Sequence, residues 1–434
     1  MSANSQATPS KENKLLTISH KIELIPNNKA KTHFKKAFGC SRLAYNWGLA
    51  KWQEYYKRGI KKSHLELKKE FNAVKKEQYP FVYEVSKYAT QQPFLNLNLA
   101  FNKFFKDLKQ GKISYPKFKK KRENFGSYYI GGDQVVIKDE KYLKVPNFGL
   151  VKMRETIRFN GKINSCIISQ SGDKFYASFS VEISQDEYDK TQKKVKYNNL
   201  GLGIDLGIKS FLSLSNGLQI QAPKPLNKFN RLMIKRDRQL SKKLHPKTKD
   251  EVLKGIKKSN NYQKATIKLN KLHKRISNIR NDFLHKLTTN LVRNVDYFSL
   301  ETLNVKGMMS NHRLAKSISD VSFYEFKRML EYKSAYNDKQ IYQIDRFYPS
   351  SKLCSNCGNI KQDLTLKDRT YICKECGIKI DRDYNASLNL YSQLIQVGKV
   401  LAEFTTADLT AIQDDLEISQ IATSKVETVI QQKP

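Results

Sequence analysis

The sequence predicts a multidomain α/β protein, and three observations carry that reading. Short alternating apolar segments cluster at residues 15–24, 142–183 and 200–220. Long basic stretches with helical periodicity lie between them. A block of paired cysteines, SSKLCSNCGNIKQDLTLKDRTYICKECGIKIDRDYNASLNL, separates the last strand pattern from the last helix pattern. A chain of 434 residues is long enough for several cores.

The elements follow in order. LLTISHKIEL at 15–24 alternates as a strand does, and Pro26-Asn27-Asn28 ends it. Residues 29–59 are periodic at helical spacing, and further helices run to about Leu108. The texture changes near Phe125 to short alternating segments with turn chemistry at Gly161 and Ser171-Gly172-Asp173, which predicts a small antiparallel unit, a barrel joined by the N-terminal strand. QDEYDKTQKKVKYNN at 185–199 reads as a linker. LGLGIDLGIKSFLSLSNGLQI supplies two or three strands with tight glycine turns. Leu269, Leu272, Ile276, Ile279, Phe283, Leu287 and Leu291 recur at spacings of three and four, one face of a long helix. VDYFSLETL and KQIYQIDRFYPS are strands, YEFKRMLEYKSAYN and YNASLNLYSQLIQ helices.

Charge narrows the partners. Lys and Arg number 79 against 41 Asp and Glu, a net charge of +38, which points to a polyanion and first to nucleic acid. Aromatic residues make up 11% of the chain, so the charge sits on a folded body and not on a disordered tail. From Lys103 to Arg122 there are nine Lys/Arg and one acid, Asp107. Within this run KFKKKR (Lys117, Phe118, Lys119, Lys120, Lys121, Arg122) interleaves an aromatic with cations, as backbone tracking or base stacking requires. No apolar run is long enough to span a membrane, and the polar N-terminus (1–14) reads as a disordered lead-in and not a signal peptide. The tail, 398–434, is acidic and reads as flexible.

The cysteines are Cys354, Cys357, Cys373 and Cys376, a C-x2-C-x15-C-x2-C pattern whose thiolates suit a closed, structural Zn²⁺ site. Three carboxylates stand out elsewhere. Asp205 lies in the apolar GLGIDLGIK, Glu301 ends DYFSL, and Asp383 opens a helix in DRDYNASLNL, where Asp381 competes for the cap. Acids on two buried strands and a helix start can converge on one point, and hard oxygen ligands select Mg²⁺ or Mn²⁺, the ions that clamp a phosphodiester. The strand–strand–strand–helix–strand–helix order is that of an RNase H-like nuclease core.

GIDLGIK, SLETLNVKG, the knuckle after RFYPSSKLCSNCG, DRDYNASLNL, GCSRLAYNWGLAKW and SYPKFKKKRENFGSYYI together resemble the TnpB family of insertion-sequence proteins, relatives of type V CRISPR effectors, over residues 15–397. The resemblance implies a RuvC-type, Mg²⁺-dependent DNA endonuclease. It implies a guide RNA from the element's own end, a double-stranded DNA target and one protein per RNA. It implies a prokaryotic cytoplasmic, nucleoid-associated location. Asp205, Glu301 and Asp383 match the three catalytic acids, the last because it directly precedes Tyr384-Asn385-Ala386, and the four cysteines match the zinc ligands. Tyr45 and Asn46 match a helix that approaches the short duplex motif beside the target. The implied domains are a wedge-like barrel (15–28 and 123–192), a helical recognition domain (29–122), a nuclease domain (193–350 and 378–397) and a zinc insertion (351–377). A zinc insertion in that place is expected to lie over the active-site mouth and position the strand to be cut. A strand-transferring transposase and a non-cleaving, RNA-dependent DNA-binding repressor are the alternative readings.

Overall fold

A computed structural model describes residues 14–121, 125–191, 199–244, 259–365, 367–398 and the backbone of 423–425. The chain divides into two compact units, Met1–Thr191 and Gln192–Pro434. Residues 1–13 of the expected lead-in (1–14), Arg122 and almost all of the acidic tail lie outside the described residues.

The first unit pairs an antiparallel sheet with three helices. Its strands are β1 (Leu15–Ile25), β2 (Phe125–Gly131), β3 (Val136–Lys138), β4 (Tyr142–Val145), β5 (Gly149–Met153), β6 (Lys162–Ser171) and β7 (Lys174–Ser184), in the order β2-β6-β7-β1-β5-β4-β3. The N-terminal strand sits in the middle because its strict alternation buries Leu16, Ile18, Ile22 and Leu24 on one face. Helices α1 (Asn28–Lys57), α2 (His64–Gln78) and α3 (Tyr88–Leu108) follow β1. Asn27 caps α1, and Ser63 with Glu66 forms a reciprocal capping box on α2. Phe71, Phe94 and Leu67 fill the space between the three helices.

The expected linker at 185–199 is corrected in its first half. Gln185–Thr191 forms a short helix, α4, with Tyr188 buried. Ser184 Oγ accepts from the Glu187 main-chain N–H at 3.2 Å, and two acids stand in the first turn where the helix dipole favours them.

The second unit holds a mixed sheet ordered β12-β11-β8-β9-β10-β15, from β8 (Gly201–Leu206), β9 (Leu212–Leu214), β10 (Leu218–Ile220), β11 (Tyr297–Glu301), β12 (Gln340–Ile344) and β15 (Thr423–Lys425). β8, β11 and β12 are parallel, and the remaining neighbours are antiparallel. The tail was expected to be flexible, yet its one described segment, β15, pairs along β10. At the start of the parallel strands Asp296 accepts from Leu200 N at 3.2 Å and from the buried Lys339 ammonium, which ties the entries to β8, β11 and β12 together. Helices α5 (Pro225–Lys242), α6 (Asn260–Asn294), α7 (Val305–Met309), α8 (His312–Val321) and α9 (Phe323–Tyr336) connect these strands. The apolar stripe of α6 reaches the core as its spacing predicts, with Ile279 only half-buried. Strands β13 (Thr370–Ile372) and β14 (Lys379–Asp381) form a small separate ribbon, and α10 (Arg382–Gln396) closes the described fold.

Candidate active site and metal centre

Two parallel neighbours set up the first pair of acids. β8 and β11 pair in register from Gly201↔Tyr297 to Ile204↔Leu300, so Asp205 and Glu301 are the next residue on each strand. Side chains alternate along a strand, which puts Gly203 and Asp205 on the same face as Ser299 and Glu301. Helix α10 lies against that face. It comes so close that a Cβ on Gly203 would stand 2.1 Å from the Ser387 carbonyl oxygen and 2.5 Å from Tyr391 N. From Gly203 to Asp205 the strand advances about 6.5 Å. From Ser387 back to Asp383 the helix covers about 6 Å. The first turn of α10 therefore arrives beside Asp205, and Asp383 is in that turn.

The two acids of Asp-Arg-Asp divide the work. Asp381 is the cap: its Oδ1 accepts from the main-chain N–H groups of Asp383 at 3.0 Å and Tyr384 at 2.9 Å. The Asp383 carboxylate is thereby left for other partners. Arg382 reaches it at 2.8 Å, and Arg369, on the cysteine insertion, stands at 3.8 Å. Glu301 accepts from the Ser350 hydroxyl at 3.4 Å.

Electrostatics register the convergence. Burial, and then the negative charges of Asp383 and Glu301, push Asp205 up to about 8. Burial also raises Glu301. Like charges held this close disfavour joint ionisation unless a cation joins them, and three oxygen donors are the donor set a hard divalent cation takes. Among the described residues, only the cysteines bring three or more ligand atoms within 4.8 Å of one another. The acids form a looser group, with Asp383 engaged by Arg382.

The cysteine cluster is tight. Cys354 and Cys376 Sγ are 3.6 Å apart, as are those of Cys357 and Cys373. Zn–S bonds of about 2.3 Å in a tetrahedron set sulfurs about 3.8 Å apart, so the four cysteines fit zinc without rearrangement. Each pair sits on the same kind of turn. Gly358 and Gly377 donate back to the carbonyls of Cys354 and Cys373 at 3.0 and 3.1 Å, and both glycines have positive φ (76° and 72°), which a side chain would strain. The Ile378 main-chain N–H lowers Cys376 to about 6, while burial pushes Cys354 up to about 12.

Sequence reasoning missed the groups that join these two centres. Asn385 and Asn389, both buried in α10, donate to the Leu353 carbonyl at 2.7 Å each; Asn389 also donates to the Ser350 carbonyl at 2.8 Å, and Asn385 accepts from Ser355 N at 3.0 Å. The helix carrying Asp383 is thus bolted to the first cysteine turn. Two asparagines four residues apart on the apolar face of a helix were the available signal. Gly203 had a weaker one, as a glycine within a buried strand.

The residues expected to contact nucleic acid in the first unit do not all offer free groups. Lys117, Lys119, Lys120 and Lys121 lie exposed on an irregular strap after α3. Tyr45 is buried at 5% exposure, and Asn46 spends both ends of its amide on the Lys119 main chain, at 2.8 and 3.0 Å. The Lys119 ammonium rests 4.0 Å from the Tyr45 ring centre. In this arrangement Tyr45 and Asn46 pin the strap: the Tyr45 ring is packed away, and the half-exposed Asn46 has one donor and one acceptor engaged by the main chain.

Comparison with known proteins matches three family descriptions: "Helix-turn-helix domain" at residues 16–61, "Probable transposase" at 178–312, and "Cas12f1-like, TNB domain" at 323–390. The first of these spans is a strand and one long helix here. A Streptomyces pristinaespiralis protein named "Putative RNA-guided DNA endonuclease" is 30% identical over 372 residues, 85% of this chain and 87% of its own. The "TnpB-like protein L79" of Acanthamoeba polyphaga mimivirus is 29% identical over 196 residues, 43% of this chain and 36% of its own. A solved Cas12f1–sgRNA–target DNA complex is similar at 15% identity and a TM-score of 0.30, over 87% of this chain and 99% of that one.

Proposed function

Because the chain belongs to the TnpB family, we propose that it is an RNA-guided DNA endonuclease that hydrolyses target phosphodiesters at Asp205, Glu301 and Asp383. The observation that carries this is the arrival of three acids at the ends of two parallel strands and the start of the helix packed on them, with Asp205 raised by burial and then by the other two. The strand order, with three parallel strands and an antiparallel pair beside β8, fits an RNase H-like, RuvC-type core.

The acids would hold Mg²⁺ or Mn²⁺, which supplies Lewis-acid stabilisation of a phosphodiester in hydrolysis. The chain's own residues do the rest. Asp205 and Glu301 are fixed by strand register and so hold one geometry. Asp383 is fixed by the cap at Asp381 and by the asparagine bolts to the cysteine insertion. Arg382 and Arg369 neutralise Asp383 while the acids stand alone. The zinc insertion steadies the helix that carries the third acid and lies beside the site. Residues 15–28 and 123–192 serve as the wedge, 29–122 as the recognition helices, and the lysines of the strap hold phosphate. The guide comes from the element's own end, and the target is double-stranded DNA.

The test is to purify the protein gently and sequence the nucleic acid that accompanies it, then reconstitute cutting with that RNA. A discrete RNA with a constant scaffold and a variable end, together with Mg²⁺-dependent cutting of matched DNA that Asp205→Asn abolishes, supports the reading. Heterogeneous fragments and no guided cutting reject it.

A further inference from the structure

A groove in the first unit is built differently from a general basic surface. It is bounded by α1, α3, the strap at 115–120 and β2, and encloses about 960 Å³. Among the described residues no Asp or Glu lines it, although the unit as a whole carries many. Arg42 stands half-buried in its wall, and no ion-pair or hydrogen-bond partner reaches it among the described residues. Lys117 and Lys120 flank it from the strap. Gln92 and Asn96, one turn apart on α3, line it, and neither amide is paired among the described residues. The Tyr128 hydroxyl, on a side chain only 3% exposed, has no hydrogen-bond partner in the same wall.

These groups ask for two things at once. An unpaired guanidinium with five donors and two neighbouring ammonium groups asks for a phosphate. Two free amides, each a donor and an acceptor, ask for the edge of a base. A volume of this order suits a ligand of small-molecule size, such as a nucleotide, and does not take in the body of a duplex. The strap that forms one side is held by Asn46 and Tyr45, so the groove is shaped before a ligand arrives.

We infer that this groove takes an unpaired nucleotide, its phosphate on Arg42 with Lys117 and Lys120 and its base edge on Gln92 and Asn96. The inference rests on the nucleic-acid reading of the chain, but not on cleavage. The unpaired nucleotide belongs either to an RNA or to a displaced DNA strand, and the chemistry of the groove serves both.

The experiment uses the full-length protein carrying Asp205→Asn, so that no probe is cut. Affinities are measured by fluorescence anisotropy for a labelled ten-nucleotide single strand, as RNA and as DNA, and for a blunt duplex of the same sequence. Arg42→Ala is expected to weaken one or both single strands about tenfold or more, the loss of a charge-assisted contact, while the duplex changes less than about twofold. The exposed Lys103→Ala, outside the groove, should change each probe less than about twofold. Gln92→Ala with Asn96→Ala should flatten the preference among homopolymer strands and leave the salt dependence unchanged. The strand that responds, RNA or DNA, identifies the source. Equal loss on single strand and duplex, or no loss on either, overturns the inference. If Arg42→Ala does not fold, Arg42→Lys keeps the charge but not the fork, and the amide pair gives an independent reading. Absence of guided cutting by the unsubstituted protein, with these affinities intact, would reject the nuclease reading and leave the groove standing.

Discussion

At the scale of single residues, the carboxylate most altered by its surroundings is Asp205. Its acid is raised from the ordinary range to about 8. Such a group lends stability that is fully present below the unfolded value near 4 and is lost as pH rises through 8. Near neutral pH the folded chain therefore carries an acid that resists ionisation. Asp205→Asn should remove that pH-dependent loss. Without added divalent cation, the melting temperature of the variant should exceed that of the wild type, by a margin that grows from pH 5 to pH 8 and shrinks when Mg²⁺ is added. Thermal scans across that range check it, and a constant or falling margin would show that Asp205 is not strained by its neighbours. At the same scale, the family pattern favours Asp383 over Asp381, and the hydrogen bonds give the physical reason. Both are acids at a helix start. One points back over the helix end and is consumed as a cap, and the other is carried forward into the site.

At the scale of elements, the candidate site depends on how closely α10 lies on β8. Gly203→Ala would place a methyl inside the van der Waals radius of main-chain atoms that cannot move aside. A loss of about 1–3 kcal/mol in stability and a fall in cutting of at least an order of magnitude are expected, read by urea unfolding and by a cleavage assay. The asparagine bolts act on the same helix. Asn385→Ala strands Ser355 N but, like Asn389→Ala, still leaves the Leu353 carbonyl one donor, whereas the double variant orphans that carbonyl as well. The double variant should therefore lose more than the sum of the singles, with each uncompensated group costing about 1–3 kcal/mol. Additive losses in urea melts would argue against a shared role. The helices and strands themselves were largely legible in sequence, since the stripe of α6 and the alternation of β1 state which face is buried. The helix at 185–191 was not, because a polar, acidic stretch looks like linker until it is seen that Tyr188 is buried and that the acids sit at the favourable end.

At the scale of the whole molecule, two properties follow from composition and cofactor. A net charge of +38 makes phosphate neutralisation the main source of affinity. Raising salt from 50 to 200 mM should weaken binding of a long RNA by about 10³-fold or more if six or more phosphates are engaged, and a filter-binding titration reads it. Zinc should be structural. Cys373→Ser, or removal of the metal by a chelator, should loosen the insertion, release α10 and abolish cutting, while single-strand binding by the first unit persists within about threefold. Metal content, protease sensitivity near residue 370 and anisotropy separate these effects. Cutting that survives zinc loss would show that the insertion does not support the third acid. No helix among the described residues is long and apolar enough to cross a membrane, in keeping with the absence of any long apolar run.

By itself the sequence determined the partner class, the paired-cysteine centre and the order of strands and helices, because charge, ligand spacing and periodicity are local or additive quantities. It also presented the three acids as separate candidates. Only the tertiary structure brings them near one another, in a group looser than the cysteines. Their approach depends on the register of two strands far apart in the chain and on a helix that packs with no side chain between it and the sheet at Gly203. The same holds for the groove around Arg42 and for the pinning role of Tyr45 and Asn46. A side chain's availability is set by what packs on it, and packing brings together residues that no spacing along the chain connects.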